Sequence, residues 1–269
     1  MASIAQGTTL DKEISLIEKS ISGRIGISVL NTQNAEIWNY NGDERFPMMS
    51  TFKTLACAKL LSDSDNGLMN KQTEFRIKKD DLIAWSPITE KLEGETITLE
   101  RACEATMLMS DNTAANIVLQ HIGGPEGLTV FLRSINDNVT RLDRIEPELN
   151  QAKSGDLRDT TTPNAMVSTL NEILLGNVLT EQSSNSLKSL MSNNKVSNSL
   201  LRSILPKGWF IADRSGAGNN GSRGITALVW TESQAPIVIA IYMTETELEF
   251  KERNRIIADI GKLIFKSLI

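Results

Sequence analysis

Histidine is nearly absent from this chain of 269 residues: His121 is the only one, and there are two cysteines. Those counts cannot build the usual zinc sets, and no H-E-x-x-H segment occurs. A Ser-His-Asp triad would have to use His121, but no G-x-S-x-G elbow offers it a serine. Followed by Ile122-Gly123-Gly124, His121 reads instead as a residue near the C-terminus of a helix. Glycine-rich phosphate loops of the Walker or dinucleotide type are missing too. No apolar run approaches membrane-spanning length, and Met1 to Ser20 lacks the basic and apolar regions of a signal peptide. The net charge of −5 argues against nucleic acid or an anionic membrane as a general partner. If the protein is a hydrolase, its nucleophile is an alcohol and its base is a lysine or a carboxylate.

What is present suits a soluble globular protein: 40% of the residues are hydrophobic and 23% charged. The length allows a substantial core, as one domain or two closely packed lobes. Three short segments stand out: Ser50-Thr51-Phe52-Lys53, Ser110-Asp111-Asn112 and Arg214-Ser215-Gly216. At a helix start, a serine followed three residues later by lysine puts a hydroxyl and an amine on one face. The amine can then accept or relay the proton of a nucleophilic alcohol. Cys57 follows Ser50 by seven residues and Cys103 precedes Ser110 by seven, so each cysteine shares the inward face of its helix. If the two serines converge on one pocket, the cysteines converge behind it. A disulfide and a pair of small buried thiols are both open readings.

Helical spacing covers Leu10–Ile21, and strands are expected at Arg24–Leu30 and Glu36–Tyr40 around an Asn31–Asn34 turn. Pro47 precedes the Ser50 helix. Helical patterns recur at Leu99–Met109, Ala114–His121, Gly127–Ile135, Pro163–Leu175 and Gln182–Met191. Residues 224–230 and 237–243 are apolar runs of strand length, and Glu247–Ile269 has the pattern of a long amphipathic helix. Strands at both ends with helices between suggest an α+β (or α/β) protein whose sheet is completed by both termini.

Over nearly its full length the chain resembles the class A serine β-lactamases, and most closely their carbenicillin-hydrolysing subgroup, whose third motif is Arg-Ser-Gly. The three motifs carry the match together with Arg45-Phe46-Pro47, the extension of the second motif to Asn116, and residues 141–150. The resemblance implies a β-lactamase-like fold: an antiparallel sheet from both termini flanked by helices, plus an inserted all-helical lobe. The expected division is 1–46 with 193–269 against 47–192, with the active site between the lobes. It implies hydrolysis of the β-lactam amide of penicillins, carbenicillin included, and resistance to these drugs. No cofactor, metal, nucleic acid or membrane is implied. The partners are β-lactam substrates and mechanism-based inhibitors. A monomer, in mature periplasmic or secreted form, is expected.

Carried over position by position, Ser50 is the acylated nucleophile, with Lys53 hydrogen-bonded to its hydroxyl. Ser110 passes a proton to the β-lactam nitrogen, and Asn112 holds the side-chain amide of the substrate. The backbone N–H groups of Ser50 and Ala217 form the oxyanion hole. Glu146, in Glu146-Pro147-Glu148-Leu149-Asn150, activates the deacylating water with Asn150, across a peptide bond to Pro147 expected to be cis. Glu148 is read as a surface acid. Either Lys53 or Glu146 serves as the acylation base. Arg144 and Asp159 close the neck of this loop, ideally as a bidentate pair. Trp85 walls the cleft. Arg214, Ser215, Gly216 and Arg223 surround the carboxylate of the substrate, and Arg214 is expected to favour penicillins with a second carboxylate. A D-Ala-D-Ala carboxypeptidase or transpeptidase and a once-acylated sensor domain are the alternatives. Glu146 and Asn150 argue against the first, and the lack of a membrane segment against the second.

Overall fold

Ile237, Ile239, Ile241 and Met243 belong to one apolar cluster, while Val238, Ala240 and Tyr242 belong to another. A strand buried on both faces has no polar side, so it appears in sequence as an unbroken apolar run. This strand is the centre of the fold. The computed structural model describes residues 4–268, with side chains from Thr9 to Ser267. In chain order, α1 (Ile4–Ile21) leads into β1 (Arg24–Asn31), β2 (Glu36–Tyr40) and the short β3 (Phe46–Pro47). The middle comprises α2 (Phe52–Asp65), β4 (Glu74–Arg76), β5 (Thr96–Thr98), α3 (Leu99–Met109), α4 (Asn112–His121), α5 (Gly124–Ser134), β6 (Thr160–Thr161), α6 (Pro163–Leu174) and α7 (Glu181–Ser192). The chain closes with β7 (Phe210–Ala217), β8 (Arg223–Trp230), β9 (Ile237–Thr244) and α8 (Phe250–Leu268).

The main sheet has the order β2-β1-β9-β8-β7 and is antiparallel throughout. Both termini therefore contribute to it. One face buries Ile25, Ile27, Ile225 and Ile239 against Leu10 and Ile14 of α1 and Ile257, Ile260 and Ile264 of α8. The other face packs on the helices of the middle segment, through Ala212, Leu228, Val238 and Tyr242.

Three expectations need correction. β7 was not expected as a strand, because buried Asp213 and Arg214 interrupt its apolar pattern. Asp213 is tolerated there by Arg202 Nε at 2.7 Å and Asn194 Nδ2 at 2.7 Å. The middle segment is also not wholly helical: β4 pairs with β5, and β6 pairs with β3. The last helix begins at Phe250 rather than Glu247. Its expected final residue, Ile269, lies outside the described residues, as do residues 1–3 of the expected first lobe.

Cys57 on α2 and Cys103 on α3 form a disulfide, with Cα atoms 5.7 Å apart. The bridge closes a span of 46 residues through the helical middle. Replacing both cysteines by alanine is expected to cost about 2–4 kcal/mol. In a protein of this size that is a fall of roughly 4–16 °C in Tm. A thermal melt with an unchanged midpoint would show that the bridge adds nothing to stability.

Candidate active site

α2 is buried on nearly every side, from Phe52 through Ala58 and again at Leu60 to Ser62, so it runs through the core instead of lying on it. Ser50 stands in the 3₁₀ turn that starts this helix, after Met49, whose φ of +49° is rare for a side chain of that size. That turn meets β7 so closely that a Cβ added to Gly216 would lie 2.6 Å from Ser50 N. Only glycine fits there, which brings the Gly216 backbone against Ser50.

Ser110 ends α3 with φ +60°, and Asp111 begins α4 as its N-cap, accepting from Ala114 N at 2.9 Å. The fully buried Asp111 carboxylate also takes N–H bonds from Ile88 and Thr89, both at 2.9 Å. It thereby joins the second motif to the Trp85 loop, a role the sequence reading did not assign. Trp85 has φ +62°, and its indole donates to Met109 O at 3.1 Å. Asn112 Nδ2 donates to Ala84 O at 2.9 Å, so this loop also holds the amide.

Ser110 Oγ donates to Ser50 Oγ at 3.1 Å and itself accepts from Lys53 Nζ at 3.1 Å. Lys53 also donates to Ser110 O at 2.9 Å and Asn112 Oδ1 at 2.6 Å, and pairs with Glu146 Oε1 at 3.1 Å. The three hydrogen bonds, to Ser110 O, Ser110 Oγ and Asn112 Oδ1, use all three donors of the ammonium, and Glu146 adds an ion-pair contact. The expected direct bond from Lys53 to Ser50 is therefore replaced by a link through Ser110. Lys53 and Glu146 are both wholly buried. Burial pushes the Lys53 pKa down to about 8, opposed by Glu146 and assisted by Arg214.

The loop that carries Glu146 is held at both ends of that residue. Asn116 Nδ2 donates to Glu146 O at 2.8 Å, and Asn116 Oδ1 accepts from Glu146 N at 3.0 Å. Asn116 had been given no role; the one signal was an asparagine inside a helix, where it is a poor former. Asn150 Nδ2 donates to Glu146 Oε2, and Glu146-Pro147 is cis. Glu148 is exposed. At the neck, Asp159 accepts from Arg144 Nε at 2.5 Å, and from the backbone N–H groups of Asp143 at 2.8 Å and Arg144 at 2.9 Å. The expected bidentate pair is instead one guanidinium bond plus two from the backbone.

A cavity of about 440 Å³ opens over Ser50, walled by Trp85, Ser110, Asn112, Asn150 and the strand Ser215–Ala217, with Arg223 and Phe250 at its edge. Arg223 Nη1 donates to Gly216 O at 2.7 Å and Nε to Asn254 Oδ1 at 2.8 Å; Asn254 was missed because it lies far along the chain. Arg214 does not line this cavity. It is fully buried, with Nε donating to Ser50 O at 3.3 Å and Nη1 to Met107 O at 3.1 Å. Burial lowers the pKa of both arginines, which nevertheless remain cationic at neutral pH. Arg214 thus sits behind Ser50, with Nε and Nη1 on backbone carbonyls and Nη2 without a hydrogen-bond partner among the described residues.

The arrangement joins two serine hydroxyls to a buried cation–carboxylate pair beneath an open cavity, and such a set can carry acyl transfer to water. Residues 9–268 match the β-lactamase enzyme family. The β-lactamase PSE-4 of Pseudomonas aeruginosa is 56% identical over 264 residues, covering 98% of this chain and 92% of that protein. AER-1 of Aeromonas hydrophila is 45% identical, covering 96% of this chain and 85% of that protein. The chromosome-encoded β-lactamase of Vibrio parahaemolyticus superposes with a TM-score of 0.95 at 58% identity, covering 96% of this chain and 98% of that one. An ancestral class A β-lactamase gives 0.94 at 44% identity, covering 96% of this chain and 99% of that one. The chain therefore belongs to the β-lactamase enzyme family, on its class A branch.

Proposed function

We propose that the protein hydrolyses the β-lactam amide of penicillins, carbenicillin included, and so confers resistance to them. The observation that carries this reading is the buried Lys53–Glu146 pair, linked through Ser110 to Ser50. Ser50 Oγ attacks the lactam carbonyl, whose oxygen gathers negative charge between the N–H groups of Ser50 and Ala217. The proton of Ser50 passes through water to Glu146; as the ring C–N bond breaks, Ser110 gives its proton to the leaving nitrogen and is re-protonated from Lys53, which regains a proton from Glu146 across their contact. Glu146, with Asn150, then takes a proton from water as that water attacks the ester on Ser50. The ester bond breaks, and the proton taken up by Glu146 passes to Ser50 Oγ, which restores both the serine hydroxyl and the carboxylate.

The substrate carboxylate falls to Ser215 and Arg223, which line the cavity, while Arg214 adds positive potential from behind. That potential also underlies a preference for penicillins bearing a second carboxylate. Trp85 walls the cleft and Asn112 holds the side-chain amide. Residues 1–46 with 193–269 form one lobe and 47–192 the other, with the cleft between them. The disulfide supports a periplasmic or secreted site of action. Among the described residues no helix is long and apolar enough to cross a membrane. The protein acts as a monomer on small-molecule substrates.

The test is loss of β-lactam absorbance with benzylpenicillin and carbenicillin in large excess, with the protein mass followed during the reaction. Many turnovers with little final adduct are expected; one equivalent consumed with a lasting adduct would refute hydrolysis.

Lys53 is surrounded by acceptors and makes no hydrogen bond to Ser50, so its ammonium form, rather than the free amine, is assigned to acylation, with Glu146 acting through water as the base. With the Lys53 pKa lowered to about 8, the ammonium is lost as pH rises through that value. Single-turnover acylation is expected to be level up to about pH 8 and to fall above it. A tenfold rise per pH unit below 8 would make neutral Lys53 the base instead.

A further inference from the structure

Phe250 opens α8 at the edge of the cleft with 45% of its surface exposed. A large apolar side chain gains little from such a position by burial. Its surroundings give a different reason. The guanidinium carbon of Arg223 lies 5.0 Å from the ring centroid, and that of Arg253 lies 5.6 Å from it. Both are within the range of cation–π attraction. The two cations are close enough that Arg253 helps lower the Arg223 pKa, after burial. Arg223 spends Nε on Asn254 and Nη1 on Gly216 O, and its Nη2 has no hydrogen-bond partner among the described residues. Arg253 is tethered separately, through Nη1 to Ser222 O at 3.0 Å.

We propose that Phe250 is a positioning residue for β-lactam binding: its ring holds the Arg223 guanidinium toward the cleft, with Nη2 free for the substrate carboxylate. The negative face of the ring offsets the repulsion between Arg223 and Arg253 and confines Arg223 to one orientation. The inference rests on the β-lactamase reading of the cleft, and goes beyond it in assigning carboxylate recognition to an aromatic residue that never needs to touch the reacting atoms.

Two variants and two substrates test it. Phe250→Leu retains an apolar side chain but removes the π face; Phe250→Ala removes both. Loss of one cation–π contact predicts a rise in KM for benzylpenicillin of roughly 3–30-fold in each variant, with kcat within about twofold. The methyl ester of benzylpenicillin lacks the carboxylate, so on it the variants and the parent should match within about twofold in kcat/KM. Thermal melts of both variants show whether they are folded. Equal losses on acid and ester, or an unchanged KM for the acid in a folded Phe250→Leu protein, would overturn the proposal. Absence of turnover in the parent protein would instead refute the β-lactamase reading.

Discussion

Glu146→Gln is expected to convert a turnover enzyme into one that stops at the acyl stage. Glutamine preserves the shape of the side chain, and its oxygen can still face Asn150 or Lys53, but it cannot take a proton from water. Loss of a positioned general base costs about 10²–10⁴ in the step it serves. Deacylation should slow by that factor. Acylation loses the same base and should slow as well, but by less, because Ser50, Ser110, Lys53 and the oxyanion donors remain. A protein incubated with benzylpenicillin should therefore carry the mass of the drug on Ser50 long after the parent has cleared it. The substitution has a second effect that needs control. Lys53 is wholly buried, and Glu146, ahead of Asp111, raises its pKa against burial. Without that carboxylate the ammonium is harder to maintain, and the acylation profile should fall away at lower pH. Steady turnover within about tenfold of the parent, with no persistent adduct, would remove Glu146 from the deacylation step.

Asp159→Asn acts on the same step from a distance. The carboxylate of Asp159 is buried and takes three N–H bonds, two from the backbone of the loop and one from Arg144. An amide has one oxygen for those donors and turns an NH₂ group toward at least one of them. Breaking a buried pair costs about 3–5 kcal/mol. The lower end is expected, because Arg144 keeps Gln151 at 2.9 Å and Asp156 at 3.8 Å. Most of that cost should appear as local opening of residues 143–159 rather than as global unfolding. Amide exchange in that segment should accelerate. Deacylation should fall more than acylation, because Glu146 and Asn150, which together hold the deacylating water, both ride on the loop, whereas Ser50, Ser110 and Lys53 do not. Unchanged single-turnover deacylation would separate the neck of the loop from the chemistry.

How much of this was legible beforehand differed by element. The two apolar strands near the C-terminus were plain, because strands buried on both faces leave an uninterrupted apolar run. β7 was not, although it carries the Arg214-Ser215-Gly216 motif. Its Asp213 and Arg214 disguise a buried strand as a polar segment, and the groups that neutralise Asp213 come from Asn194, Ser197 and Arg202. The cysteines illustrate an intermediate case. Their spacing from the motif serines placed each on an inward helix face, but only the packing of α2 on α3 decided between two thiols and a bridge.

By itself the sequence determined the chemical inventory: a serine and a lysine one helical turn apart, a serine–aspartate–asparagine corner, a glutamate beside a proline, and too little histidine or cysteine for rival chemistries. These are local relations, set by backbone periodicity and residue type. The tertiary structure alone decided which of those groups meet. It gave Lys53 partners from two distant segments and routed its link to Ser50 through Ser110. It also buried Arg214 behind Ser50 and set Phe250 against Arg223. The physical reason is that desolvation and hydrogen-bond competition depend on everything packed around a group, and those neighbours are brought together by the fold rather than by proximity along the chain.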